Sequence, residues 1–144
     1  MTTTAILGIT IPDDTDLVKD GASAIRTVGN GFDDALAKLT LNAQTATYTV
    51  VLTDNRNKLV TMDVATANDF LIPTNANVAF PIGSVINVIQ IGAGKTTIEA
   101  VTPGTTTISS TGATATAPEL RAQFSAASCV KVATDSWIIL GDIA

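Results

Sequence analysis

The stretch Val85-Ile86-Asn87-Val88-Ile89-Gln90-Ile91 constrains the fold more than any other part of the chain. It is dense in Val and Ile, and turn residues bound it on both sides: Pro81-Ile82-Gly83 before and Gly92-Ala93-Gly94 after. That is the pattern of a strand. Side chains alternate across a strand, so Val85, Asn87, Ile89 and Ile91 share one face, and Ile86, Val88 and Gln90 the other. Both faces are largely apolar. Such a strand belongs between two packed layers, or between its own domain and a neighbouring subunit.

The surrounding residues read as strands that cover it. Short β-branched runs at 48–52, 58–64, 69–72, 97–101, 106–109, 120–123, 128–132 and 137–140 are separated by Gly, Pro, Asn and Asp turn signals. Their spacing of about 8–12 residues predicts an all-β sandwich or barrel-like domain over 48–144. Residues 102–118, rich in Thr, Gly and Ala, are expected to form one poor edge strand and a long loop. Residues 40–47 are small, polar and aperiodic, which places the domain junction there.

Upstream the period changes. Val18, Ala22, Ile25, Gly29, Phe32, Leu36 and Leu39 recur at spacings of 4, 3, 4, 3, 4 and 3. This is a heptad stripe, and it predicts a helix over about 16–39. Ser23, Arg26, Asn30, Asp33 and Lys38 fall off the stripe, as a solvated face should. The expected role of 18–40 is self-association through Val18, Ala22, Ile25, Phe32, Leu36 and Leu39. The alternative is an amphipathic helix lying on its own β-sheet. Gly29, on the stripe itself, either permits close helix approach or breaks the helix.

Residues 1–17 carry Ile6, Leu7, Ile9 and Ile11 in an extended apolar patch stopped by Pro12. Two readings stand: a first strand on its own domain, or an arm that docks into a partner through those four residues. The start has neither a basic segment nor a long apolar run, so no secretory signal is read, and no apolar run reaches the ~18 residues of a membrane span. No membrane insertion is expected.

Charged residues make up 15% of the chain against about a quarter in ordinary soluble domains, although 46% is apolar. Either much of the surface is neutral Thr, Asn and Gly, or part of it is buried against other copies; a mixture is expected, with self-association the larger share. The net charge of −5, with eight scattered Lys and Arg, argues against a nucleic-acid partner, whose phosphates require a basic face.

Chemistry finds little footing. There is no His, which removes the commonest general base and metal ligand. The single Cys129 lies in an alternating run and reads as a small buried hydrophobe. Gly92-Ala93-Gly94-Lys95-Thr96 resembles the end of a phosphate-binding loop, but the motif's first glycine position holds Ile89 and a β-like run follows. A hairpin turn with an exposed lysine is the expected structure. Asp54, Asp63, Asp69, Asp135 and Asp142 are spread over separate turns and strand ends, so an acidic pair would need the fold to converge them. Trp137, inside a closing strand, reads as a core or interface residue rather than a sugar platform. No catalytic, cofactor-binding or metal-ligating residue is expected, and no cofactor.

Several short motifs follow one another in order. They are Tyr48 to Leu52, Asp54, Lys58-Leu59-Val60-Thr61-Met62, Phe70 to Pro73, Val78-Ala79-Phe80-Pro81-Ile82-Gly83 and Val85 to Gly94. Leu120-Arg121-Ala122-Gln123-Phe124-Ser125-Ala126 and Trp137 to Asp142 complete the series. This succession, over about two-thirds of the chain, resembles a β-rich domain that recurs at the C-terminal end of bacteriophage fibre and appendage proteins. The resemblance implies a non-enzymatic structural protein of the virion, a homotrimeric fibre or spike such as a tail fibre or baseplate appendage. Residues 1–17 would attach to another virion protein, the helix would form a short coiled coil, and the β-domain would project. Two alternatives stay open: a receptor module binding a host-surface glycan, and a head fibre decorating the capsid.

Overall fold

The computed structural model describes residues 2–3, 10–11 and 20–144. Two short strands, β1 (Thr2–Thr3) and β2 (Thr10–Ile11), pair antiparallel. Helix α1 (Gly21–Ala37) touches β2, and Ala24 is buried. Gly29 does not break the helix; beside it a Cβ would meet open space. Ile6, Leu7, Ile9 and Val18 lie outside the described residues.

The β-domain is built from β3 (Thr40–Gln44), β4 (Tyr48–Thr49), β5 (Lys58–Met62), β6 (Asn68–Ile72), β7 (Val85–Gln90) and β8 (Thr96–Ala100). It is completed by β9 (Thr107–Ser110), β10 (Ala126–Ala133) and β11 (Ser136–Gly141). The protein is mainly β with one substantial helix among the described residues, and no helix follows Tyr48 beyond a 3-10 turn at Leu52–Asn55.

The topology is specific. From β3 to β8 the chain steps alternately between two sheets, so that β3, β5 and β7 pair in parallel in one, and β4, β6 and β8 in the other. Three successive β-strand pairs thus stack as coils. Antiparallel β10 then covers the far edge of β7, β11 follows it, and β9 pairs parallel to β11. The larger sheet runs β3-β5-β7-β10-β11-β9. Residues 118–120 close the edge of β8 through Ile98 N–H to Pro118 C=O (2.8 Å) and Leu120 N–H to Thr96 C=O (2.9 Å).

Two expectations are corrected here. Residues 40–44 are not a junction but the first strand of the large sheet, registered Leu41 on Leu59 and Asn42 on Val60. Their inward side chains are polar because they meet a polar cluster rather than the apolar core. Gly92–Lys95 is not a hairpin turn: β7 and β8 lie in different sheets, and these residues form the corner between them. The corner stacks on the preceding one, with Gly92 N–H bonded to Met62 C=O (3.0 Å) and Gly94 N–H to Val64 C=O (2.9 Å). A Cβ on either glycine would overlap the backbone of Val64 or Thr66. Residues 120–123 form no strand; Leu120 makes an isolated bridge to Ile143.

One core fills the space between the sheets. Val60, Met62, Ile86 and Val88 enter from the large sheet, Phe70, Ile72 and Ile98 from the small one, and Trp137 closes it edge-on to Phe80 at 5.4 Å. Trp137 is therefore a core residue. Cys129 is wholly buried, and burial pushes its thiol up to about 12. It is inert packing.

The first coil ends the core in polar groups. Asp54 is fully buried and accepts from the Tyr48 hydroxyl (2.8 Å), Asn42 Nδ2 (2.8 Å) and Val51 N–H (2.9 Å). Gln44 Nε2 in turn donates to Asn42 Oδ1 (2.6 Å). Burial, then the bond to Asp54, raises the Tyr48 hydroxyl from 10.0 to about 12. An acid whose folded pKa is raised stabilises the fold fully below its unfolded pKa and loses that contribution through the folded one. The contribution of Tyr48 should therefore disappear as pH rises from 10 to 12. Tyr48 is the chain's one tyrosine, so tyrosinate absorbance against pH reads it directly. Titration at the free-tyrosine value in the folded protein would contradict the network.

Candidate assembly surface

The predicted helix stripe is uncovered. Ala22, Ile25, Phe32, Leu36 and Leu39 are all exposed, with Leu36 at 77% and Phe32 at 46%. The face α1 turns inward instead carries Ala24, with Gly21, Val28 and Gly31 half-buried. The stripe therefore does not rest on the chain's own sheet.

A second apolar surface adjoins it. Alternation sends Val60, Ile86, Cys129 and Ile139 into the core, so their neighbours face out. One outward row crosses five strands in register: Leu41, Leu59, Asn87, Ser128 and Leu140. A parallel row holds Val85, Val130 and Ile138. Leu41 is 66% exposed and Leu140 55%. No charged side chain stands in either row. The polar pair at the centre satisfies itself, Ser128 Oγ bonding to Asn87 Oδ1 at 2.7 Å.

The two surfaces meet. Leu39 and Leu140 line one groove of about 360 Å³ with Leu59, Asn87 and Ser128. Leu36 and Val85 line another of about 380 Å³ with Asn57 and Lys58. The apolar strip thus passes from the helix onto the sheet, with Lys58 beside the Leu36 groove and the Asn87–Ser128 pair within the Leu39 groove. Sequence reasoning found the helical half, and it found the two apolar faces of β7. It missed Leu41, Leu59 and Leu140, because outward-facing apolar residues on scattered strands come together only through the register.

The remaining sites are occupied internally. Lys95 sits at the corner in an ion pair with Glu119, both side chains about half exposed. Such pairs contribute about 0–1 kcal/mol. Lys95→Ala should leave the unfolding free energy within about 0.5 kcal/mol of wild type in urea titration. Micromolar nucleotide binding lost in that variant would instead reveal a phosphate site. The acidic residues serve separate networks: Asp54 with Tyr48, Asp135 with Asn75 and Thr106, Asp142 with Arg121 and Ser125. Among the described residues no group of three or more His, Cys, Asp or Glu could hold a metal ion, and no helix is long and apolar enough to cross a membrane. Ile11 lies in β2, paired with Thr2.

Comparison with protein-family models, with curated proteins and with solved structures finds no match for this chain.

Proposed function

We propose that the protein is a structural component of a bacteriophage virion, a homotrimeric fibre or spike whose β-domain projects from the particle. One observation carries the self-association: the apolar row from Ile25 to Leu39 continues onto Leu59 and Leu140 across a groove lined by no charged side chain. Fully burying a side chain such as Leu, Ile or Phe stabilises by about 1.5–3 kcal/mol, and a free chain forgoes that at each of these positions. A second copy presents the same strip, and three copies around an axis cover it with a helical seam that passes into a β-interface. The virion assignment rests on the ordered motifs of residues 48–144. Residues 1–17 are the proposed attachment arm to another virion protein, and a tail fibre or baseplate appendage is favoured over a head fibre.

Light scattering on the full chain tests the assembly, and the expected mass is three times that of the chain. A monomer well above micromolar concentration would remove the proposal's main support. Cryo-electron microscopy of intact particles then decides between tail and capsid.

A receptor-binding reading has one observation in its favour. Phe124 is 65% exposed and held at φ 70°, a left-handed conformation uncommon for an aromatic residue. Its turn is braced by Gln123 Nε2 to Ile91 C=O (2.8 Å) and Ser125 Oγ to Asp142 (2.7 Å). A rigid exposed ring can stack on a sugar. Glycan-array binding that disappears with Phe124→Ala would establish this role.

A further inference from the structure

Lys131 is a buried cation without an anion. It projects inward beside Cys129 on β10 and is 2% exposed, and it forms no ion pair with any described carboxylate. Nζ donates instead to the Phe80 carbonyl at 2.7 Å and to Asn75 Oδ1 at 2.5 Å, with the Trp137 ring centroid 6.0 Å away. An unpaired ammonium in such a place carries a desolvation penalty that two neutral acceptors and a ring do not offset. Burial accordingly pushes Lys131 below its ordinary range, the charge of Asp135 pulling the other way. The free base is a nucleophile.

An electrophile stands beside it. The Asn75 carboxamide carbon lies one C=O bond beyond Oδ1, so Nζ is within about 3.7 Å of it, close to a near-attack separation. The loop bearing Asn75 is pinned: its backbone N–H donates to Asp135 Oδ1 at 2.5 Å, and the Thr106 hydroxyl donates to the same oxygen at 3.4 Å. Phe80 and Trp137 stand beside Nζ, and Lys131 is buried, so the amine itself is shielded from water.

We propose that Lys131 and Asn75 condense into an intramolecular amide that staples the loop after β6 to strand β10. The Nζ lone pair bonds to Asn75 Cγ as the carbonyl electron pair moves to Oδ1. A proton passes from Nζ to Nδ2, and the negative charge of Asp135 favours the cationic nitrogens through which it moves. The carbonyl re-forms, the Cγ–Nδ2 bond breaks, and ammonia leaves. Nothing is oxidised or reduced, and no other reactant is consumed. The product replaces a buried ammonium with a neutral amide and joins positions 56 residues apart in sequence.

Intact mass spectrometry of the full-length protein, folded at neutral pH and then denatured, tests this. The wild type should lie about 17 Da below its sequence mass, the loss of one ammonia, and proteolysis should yield one branched peptide containing both residues. Lys131→Met and Asn75→Ala should both show their full sequence mass. Asp135→Asn, which tolerates the left-handed backbone at φ 53°, should form the link at least about tenfold more slowly. Wild type at its full sequence mass after prolonged incubation would overturn the proposal. So would a deficit that persists in Lys131→Met, since that identifies succinimide formation at an asparagine. A link formed at the wild-type rate in Asp135→Asn would overturn the role given to the Asp135 charge.

Discussion

Replacing Phe32 and Leu36 together by Asp should abolish association of the protein while leaving each chain folded. In a symmetric assembly the double change places several carboxylates in one apolar seam, each beside its own copies. Like charges with no cation between them are costly to desolvate. A loss of about 4 kcal/mol corresponds to a roughly thousandfold weaker association. Because Leu36 is 77% and Phe32 46% exposed in the single chain, and neither belongs to the core, the change removes little intramolecular packing. Trp137 fluorescence and the strand signal in circular dichroism should therefore be unchanged, while the scattering mass falls to that of the monomer. Asp substitution at Ser23 and Asn30, off the stripe, should leave the mass of the assembly intact. A wild-type trimer that survives the Phe32/Leu36 change would place the seam elsewhere and leave the sheet face to carry assembly alone.

The largest effect on the fold itself is expected at the coil corner. Gly92→Ala and Gly94→Ala should each destabilise the domain by about 3–5 kcal/mol, measured by urea unfolding, a large part of what a small domain possesses. Neither glycine needs a positive φ, so conformation is not the obstacle. Space is. The new methyl would occupy the backbone of Val64 or Thr66, and relief requires lifting the third coil off the second. Lifting it breaks the bond from Gly94 N–H to Val64 C=O and that from Asn68 N–H to Lys95 C=O, each 2.9 Å. It also opens the buried cluster in which Thr96 Oγ1 donates to Asn68 Oδ1 and Thr96 N–H to Gln90 Oε1. Gly104→Ala is the contrast: φ is +87° there, yet nothing lies within 4 Å, so only about 1 kcal/mol of backbone strain is expected. Equal costs at Gly94 and Gly104 would show that the corner does not depend on close stacking.

How much of this was legible depends on which interactions are local. The two apolar faces of Val85–Gln90 were readable and placed the strand between two packed layers or against a neighbouring subunit. In the chain one face lies on the core and the other, with Val85 exposed and Asn87 and Ile89 half-buried, is only partly covered. The heptad stripe gave the helix and its apolar row. The parallel coils were not readable. Strand Thr40–Gln44 turns Asn42 and Gln44 toward Tyr48 and Asp54, so it lacks the apolar alternation that marks a strand. Gly-Ala-Gly signals a tight corner but not whether the next strand returns beside the last or crosses to another sheet. Lys131 had a cue that went unused: it shares the parity of Cys129 on β10, and alternation alone turns it inward. A charged residue in such a run is so often solvated that the periodicity is overruled.

The stacking of the coils also dictates an order of events during synthesis. Strand β7 waits for its second neighbour until residues 126–133 have been made, and Leu140 joins the row begun by Leu41 only after β11 pairs with β10. Contacts this distant in sequence form late. A nascent chain therefore exposes its helix early but displays the full five-strand row only once its own domain has closed. In the proposed assembly, recognition between copies would be gated by completion of each copy, which would keep unfinished chains from being locked together.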